Sequence, residues 1–175
     1  IRDAAKVISS MVDIVMMRTF EQADIEKFAE HSKVPVINGL SDDFHPCQLL
    51  ADIQTFMEFR GTLEGQTVAW IGDGNNMCQS WIHASMLLDF DLNIACPEGF
   101  EPCQQLTSLA KDRVTISQSP QIAARGANLV TTDVFASMGQ ENQRQLRLAQ
   151  FSDFKVDHNL MSLAAEGALF MHCLP

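Results

Sequence analysis

Apolar positions along this chain alternate between two spacings, and the alternation repeats from end to end. Ala4, Ala5, Val7, Ile8, Met11 and Val12 recur at helical spacing over residues 1–12. Residues 13–17 then read as a short buried strand that ends at Arg18. Residues 21–31 form an amphipathic helical pattern with Ile25, Phe28 and Ala29 on one face, and residues 34–38 form a second strand closed by Gly39. Pro46 stands where a helix begins, since its missing N–H costs nothing there. Leu49, Leu50, Ile53, Phe56 and Met57 continue at helical spacing until Gly61.

Beyond residue 63 the pattern predicts strands at 67–72, 92–96, 113–116, 128–132 and 168–172. It predicts helices at 76–89, 102–111, 119–125, 141–149 and 156–165. Apolar strands separated by helices indicate parallel sheets covered on both faces. The expected architecture is α/β, with two doubly wound parallel-sheet domains of which the first is only partly present. The expected division is 1–45, a connecting helix over 46–62, and a second domain over 63–175.

Composition narrows the function. Hydrophobic residues make up 46% and charged residues 19%, which suits a packed core rather than a disordered segment. The net charge is -10, and no block of Lys or Arg is present, so neither nucleic acid nor an anionic membrane is an expected partner. No apolar run approaches the ~18 residues of a spanning helix. The five cysteines are scattered without a CxxC pair, which suggests neither a disulfide framework nor a zinc site and fits a reducing cytoplasm. The nine Met and eleven Phe fit core packing, and His31, His83 and His158 read as surface residues. Ile1 opens inside a helical pattern without an initiator Met, so further chain is expected upstream.

Four clusters at element ends carry candidate chemistry. Gly72-Asp73-Gly74-Asn75-Asn76-Met77 follows a strand and opens a helix, where backbone N–H groups favour an anion. The dinucleotide fingerprint needs glycine at position 77, and Met77 disfavours it. Asn75 and Asn76 suit a small carboxylate or amide ligand, or a plain helix cap. His45-Pro46-Cys47-Gln48 sets an imidazole before a helix and a carboxamide in its first turn. Both can donate to one carbonyl or phosphate oxygen, and the alternative is a capping or surface histidine.

Asp133-Val134-Phe135-Ala136-Ser137-Met138-Gly139 follows a strand whose carboxyl end lies where open α/β sheets bind ligands. Asp133 could hold an ammonium group, or Asp133 and Ser137 could cap the next helix. His172-Cys173-Leu174-Pro175 also follows an apolar strand. A cysteine there, close to an anion site, could have a lowered pKa, and a buried inert thiol is the alternative. No Ser-His-Asp or Cys-His-Asn order and no paired carboxylates emerge.

In this order, Arg18 after a strand and then these four clusters resemble the ornithine carbamoyltransferases. The His-Pro-x-Gln element alone would also fit aspartate carbamoyltransferase; Ser137-Met138-Gly139 and His172-Cys173-Leu174-Pro175 favour the ornithine branch. The resemblance implies carbamoyl transfer from carbamoyl phosphate to the side-chain amine of L-ornithine, giving L-citrulline and phosphate in arginine metabolism, with no cofactor and no metal. It implies that Arg18, His45 and Gln48 contact carbamoyl phosphate, polarising its carbonyl and orienting its amide. Cys173 and Leu174 would line the junction of the two substrates, and Asn76, Asp133, Ser137 and Met138 would bind ornithine.

The resemblance further implies a homotrimer in which a neighbour completes each site. It places a Ser-Thr-Arg-Thr phosphate-binding turn before Ile1 and a late arginine after Pro175. Without them, this polypeptide alone is not expected to turn over. A sister transferase with another amine acceptor, and an inactive amino-acid-binding paralogue, remain the alternatives. Motifs do not distinguish a biosynthetic from a catabolic role.

Overall fold

A computed structural model describes residues 1–135 and 144–173 of the chain, with helix positions but no side chain at residue 144. The first unit contains α1 (Arg2–Ile8), β1 (Val15–Arg18), α2 (Gln22–His31) and β2 (Val36–Leu40). β1 and β2 pair in parallel, with Val15 opposite Val36, and form a two-stranded sheet. Ala5, Ile25 and Phe28 are its buried apolar residues, whereas Met16 and Ile37 remain exposed. Gly39 lies within β2, where the sequence suggested that it closes the strand; a Cβ there would meet the Met16 side chain and the Met17 carbonyl.

α3 (Pro46–Arg60) connects the units. Pro46 occupies its first turn, and Gly61 ends it at φ 85°, a left-handed backbone value that favours glycine. The second unit follows as β3 (Thr67–Ile71), α4 (Asn76–Leu88), β4 (Asp91–Ala95), α5 (Gln104–Leu109), β5 (Val114–Ser117) and α6 (Pro120–Ala124). It continues with β6 (Leu129–Thr132), α7 (Arg144–Gln150), α8 (His158–Met161) and β7 (Leu169–His172). The sheet order is β5-β4-β3-β6-β7, and every pairing is parallel.

Alternate side chains of the sheet feed two cores. Val68, Trp70, Leu92, Ile94 and Leu129 pack with Leu49, Ile53 and Phe56 of α3, and with Met77, Trp81 and Ile82 of α4. Ala69, Ile71, Ala95 and Val130 face Ala123, Ala124, Phe151, Phe154 and Leu160. Burial on both faces is why these strands read as apolar runs rather than alternating ones.

The chain leaves central β3 toward β4 and β5, then returns to place β6 on the other side of β3. The order reverses between β3 and β6, and the crevice above that reversal is where open α/β sheets receive ligands.

The largest departure from the sequence pattern lies before β7. A helix predicted over 156–165 is a single turn, α8, capped by Asp157, which accepts from the Leu160 N–H. The chain leaves it because its backbone bonds elsewhere: the Ala165 N–H donates to Ala127 and the Gly126 N–H donates to Leu163. α1 likewise stops at Ile8, because Ser10 and Met11 close three-residue turns instead of continuing the helix. Of the helix predicted over 141–149, residues 141–143 lie outside the described residues, and α7 accounts for the remainder.

Candidate functional site

The turn after β3 forms one wall of the crevice. Asn75 is the N-cap of α4, its Oδ1 accepting from the N–H groups of Met77 at 3.1 Å and Cys78 at 3.2 Å. Its Nδ2 donates to Asp133 Oδ2 at 2.8 Å, so the cap also fixes a carboxylate across the crevice. The capping alternative is therefore correct for Asn75, which has a second role that its sequence position does not reveal. Met77 is buried in the core, consistent with its replacing the fingerprint glycine. Gly74 is required by close approach: a Cβ there would lie 2.2 Å from the Pro102 nitrogen.

Asp133 stands directly after β6. Besides Asn75, it accepts from Cys173 Sγ at 3.0 Å and from the Val134 N–H at 2.6 Å. Three donors thus hold one carboxylate at the strand end. Cys173, just after β7, is partly buried beside it. Burial, the hydrogen bond to Asp133 and the negative charge of Asp133 push its thiol up to about 12. This reverses the expectation of a lowered pKa: the nearest charge is a carboxylate rather than an anion-binding donor set, so Cys173 is a neutral thiol.

The opposite wall comes from the first unit. Arg18 ends β1, is exposed, and forms no ion pair among the described residues. His45 occupies the N-cap position of α3, but its side chain makes no cap bond, and Nδ1 has no partner among the described residues. The capping alternative therefore fails for this histidine. Burial and the positive charge of Arg18 lower its pKa, while the negative charge of Asp133 works in the opposite direction. Arg18 and Asp133 are both close enough to act on the charge of His45, and the balance favours a neutral imidazole at pH 7. Gln48, one turn into α3, donates to Asp52 at 2.9 Å. Burial raises the Asp52 carboxyl, the Gln48 hydrogen bond lowers it, and Asp133 adds to the rise.

One face of α4 holds the two walls together. Asn76, Gln79, Ser80 and His83 recur at helical spacing. Asn76 Nδ2 donates to the Ser41 carbonyl at 2.8 Å, and Gln79 Nε2 to the Asp43 carbonyl at 3.2 Å. Ser80 Oγ accepts from the His45 N–H at 2.8 Å and donates to the Asn76 carbonyl at 2.7 Å. The His83 ring stacks on Phe44 with centroids 4.6 Å apart, and the residue is exposed, as its position suggested. Partial desolvation lowers its pKa.

Asn76 thus uses one amide N–H on the loop that carries His45, leaving its other N–H and Oδ1 outside that contact. Ser137, Met138 and Leu174 lie outside the described residues. Two residues not singled out in the sequence support this arrangement: Ser80, which accepts from the His45 N–H, and Arg147, which bonds to Asp73 and to the Phe135 carbonyl. Ser80 and Arg147 carry no local signal.

No group of three or more His, Cys, Asp or Glu side chains among the described residues could hold a metal ion. No helix among them is long and apolar enough to cross a membrane.

The fold is a doubly wound parallel α/β unit with polar side chains gathered at its strand-order reversal, preceded in the chain by a smaller parallel unit. Residues 1–58 match the carbamoyl-P binding domain of aspartate/ornithine carbamoyltransferases, and residues 64–175 match the Asp/Orn binding domain. The chain belongs to the aspartate/ornithine carbamoyltransferase family.

It is 58% identical over all 175 residues to the anabolic ornithine carbamoyltransferase of Pseudomonas aeruginosa, spanning 57% of that protein. It is 57% identical to the ornithine carbamoyltransferase of Methylococcus capsulatus, spanning 59% of its length. Among solved structures, the ornithine carbamoyltransferase of Pyrococcus furiosus superposes with a TM-score of 0.93 at 40% identity. That superposition covers 99% of this chain and 58% of the other. The anabolic enzyme of Campylobacter jejuni gives 0.92 at 36% identity, with coverage of 99% and 60%. The chain therefore spans somewhat more than half the length of the relatives it matches.

Proposed function

We propose that this chain contributes to carbamoyl transfer from carbamoyl phosphate to the side-chain amine of L-ornithine, yielding L-citrulline and phosphate for arginine biosynthesis. The observation that carries this reading is the crevice itself. The positive charge of Arg18 and the negative charge of Asp133 both act on His45, whose imidazole is held neutral, and Asn75 and Cys173 hold the Asp133 carboxylate.

On this reading residues 1–45 belong to the carbamoyl-phosphate domain, 46–62 form the connecting helix, and 63–175 belong to the ornithine domain. Arg18 offers charge to the phosphate dianion. His45 donates to the carbonyl oxygen as a neutral group, and Gln48 orients the amide. Asp133 complements the α-ammonium of ornithine, and Asn76, Ser137 and Met138 complete the amino-acid side.

The uncharged side-chain amine attacks the carbamoyl carbon, and negative charge gathers on the carbonyl oxygen. Donors already aimed at that oxygen stabilise it without reorganisation at the moment of reaction. The tetrahedral intermediate then breaks its bond to the phosphate oxygen, which leaves with the electron pair, and the departing phosphate takes up the proton released from the amine nitrogen. Holding both reactants in one crevice removes the entropic cost of their encounter. Cys173 and Leu174 line the junction of the two substrates, with the neutral Cys173 thiol orienting Asp133. The reaction needs no organic cofactor. The assembly implied is a cytoplasmic homotrimer.

The test is citrulline formation from carbamoyl phosphate and ornithine by the full-length polypeptide, against a His45→Ala variant. Turnover that collapses in the variant supports the reaction and the site. A rate unaffected by His45→Ala would remove His45 from the mechanism. Carbamoylation of putrescine or N-acetylornithine in preference to ornithine would assign a sister acceptor.

A further inference from the structure

We propose that Arg147 is a positioning residue for the amino-acid side of the crevice. It ties together the two strand-end loops that carry Asn76 and Asp133. The inference rests on the ornithine reading given above.

Arg147 lies on α7 and is only 6% exposed. Its guanidinium forms an ion pair with Asp73, in the turn that leads from β3 to Asn75 and Asn76. Its Nε donates at 2.5 Å to the carbonyl of Phe135, two residues beyond Asp133. The guanidinium carbon stands 4.8 Å from the Phe100 ring centroid and 5.4 Å from that of Phe151. The Phe100 carbonyl accepts the Gly74 N–H at 2.8 Å, and the Asp73 carbonyl accepts Trp70 Nε1 at 2.9 Å. One side chain therefore touches three segments that frame the crevice: the β3 turn, the loop after β6, and the loop after β4.

Among the described residues Arg147 forms no hydrogen bond or ion pair with Asp133 or Asn76, so it acts through the backbone that bears them. The chemistry favours arginine specifically. A planar fork can grip a carboxylate and a carbonyl at once while stacking on aromatic faces, and an ammonium group cannot. Stability alone is a poor explanation, because a buried ion pair seldom outperforms apolar packing of the same volume. What the pair supplies is a fixed distance between the loops on either side of the strand-order reversal. Burial raises the Asp73 carboxyl, and Arg147 opposes that rise.

The experiment uses the full-length polypeptide with Arg147→Lys, Arg147→Met, Asp73→Asn and the Asp73→Asn/Arg147→Met double variant. Steady-state kinetics vary ornithine and carbamoyl phosphate separately, and chemical denaturation is measured alongside. KM for ornithine is expected to rise about tenfold in Arg147→Lys and further in Arg147→Met. KM for carbamoyl phosphate should stay within about twofold, since its contacts are elsewhere. The double variant should be little worse than the worse single variant, because the two groups act as one unit.

If Arg147→Met fails to fold, Arg147→Lys and Asp73→Asn decide the matter. Unchanged ornithine KM, with only lower stability or a smaller active fraction, would overturn the inference and leave a structural ion pair. A wild type that forms no citrulline would overturn the reading of the site and this inference together.

Discussion

Ser80→Ala isolates the contact that joins the two walls of the crevice. The Ser80 hydroxyl is 2% exposed, accepts from the His45 N–H at 2.8 Å and donates to the Asn76 carbonyl at 2.7 Å. Alanine deletes the acceptor and leaves the His45 N–H unpaired at the start of α3. Loss of a buried partner costs about 1–3 kcal/mol. Taking about 2 kcal/mol, and about 2–4 °C per kcal/mol for a domain of this size, Tm should fall by roughly 4–8 °C.

The catalytic effect should be larger than that loss suggests. A misplacement of about 1 Å at a catalytic group can cost about 100-fold in rate. The Asn76–Ser41 and Gln79–Asp43 hydrogen bonds and the Phe44–His83 stack still hold the loop. The expected fall in kcat is therefore partial, about tenfold. The assay is citrulline formation by the full-length protein with both substrates saturating, normalised to folded protein by circular dichroism. Undiminished kcat alongside a lowered Tm would refute the reasoning. Ser80 would then be an ordinary helical serine bonded back to its own helix.

Two further outcomes follow from the electrostatics. The lowered pKa of His45 means that the unfolded chain binds its proton first as pH falls below 6.5. Stability should therefore decline from pH 6.5 downward through the folded pKa, and His45→Gln should reduce that slope in urea titrations across pH 5–7, leaving the similar part due to His83. An equally steep slope in the variant would show that His45 is not held neutral. The Cys173 thiol, raised to about 12 from 9.0, should be alkylated by iodoacetamide at pH 8 about a thousandfold more slowly than an unperturbed thiol. Peptide mapping against the exposed Cys47 and Cys103 reads this directly. Asp133→Asn should speed labelling of Cys173, and equal labelling of all three in the wild type would contradict the thiol–carboxylate contact.

The sequence predicted elements best where spacing and punctuation agree. Pro46 and Gly61 bracket α3, and β3 reads as a buried strand because both faces of the sheet are covered. It failed over 156–165, where a continuous helical pattern is cut to one turn because the backbone of Ala165 and Leu163 bonds to the segment before β6. The position of Asn75 beside Asp133 likewise depends on β3 and β6 being neighbours, although 58 residues separate them in the chain.

By itself the sequence determined the parallel α/β architecture, and it set the polar clusters at the carboxyl ends of strands. Both are encoded locally, in the period of apolar positions and in the residues that open and close elements. The tertiary structure alone decided that Cys173 is a neutral thiol, that Asn76 turns its amide to Ser41, and that Arg147 grips Asp73 and Phe135. Each of these depends on burial and on charges brought near by strand order. A group's protonation and partners are set by what surrounds it in space, and the linear chain carries no local record of those neighbours.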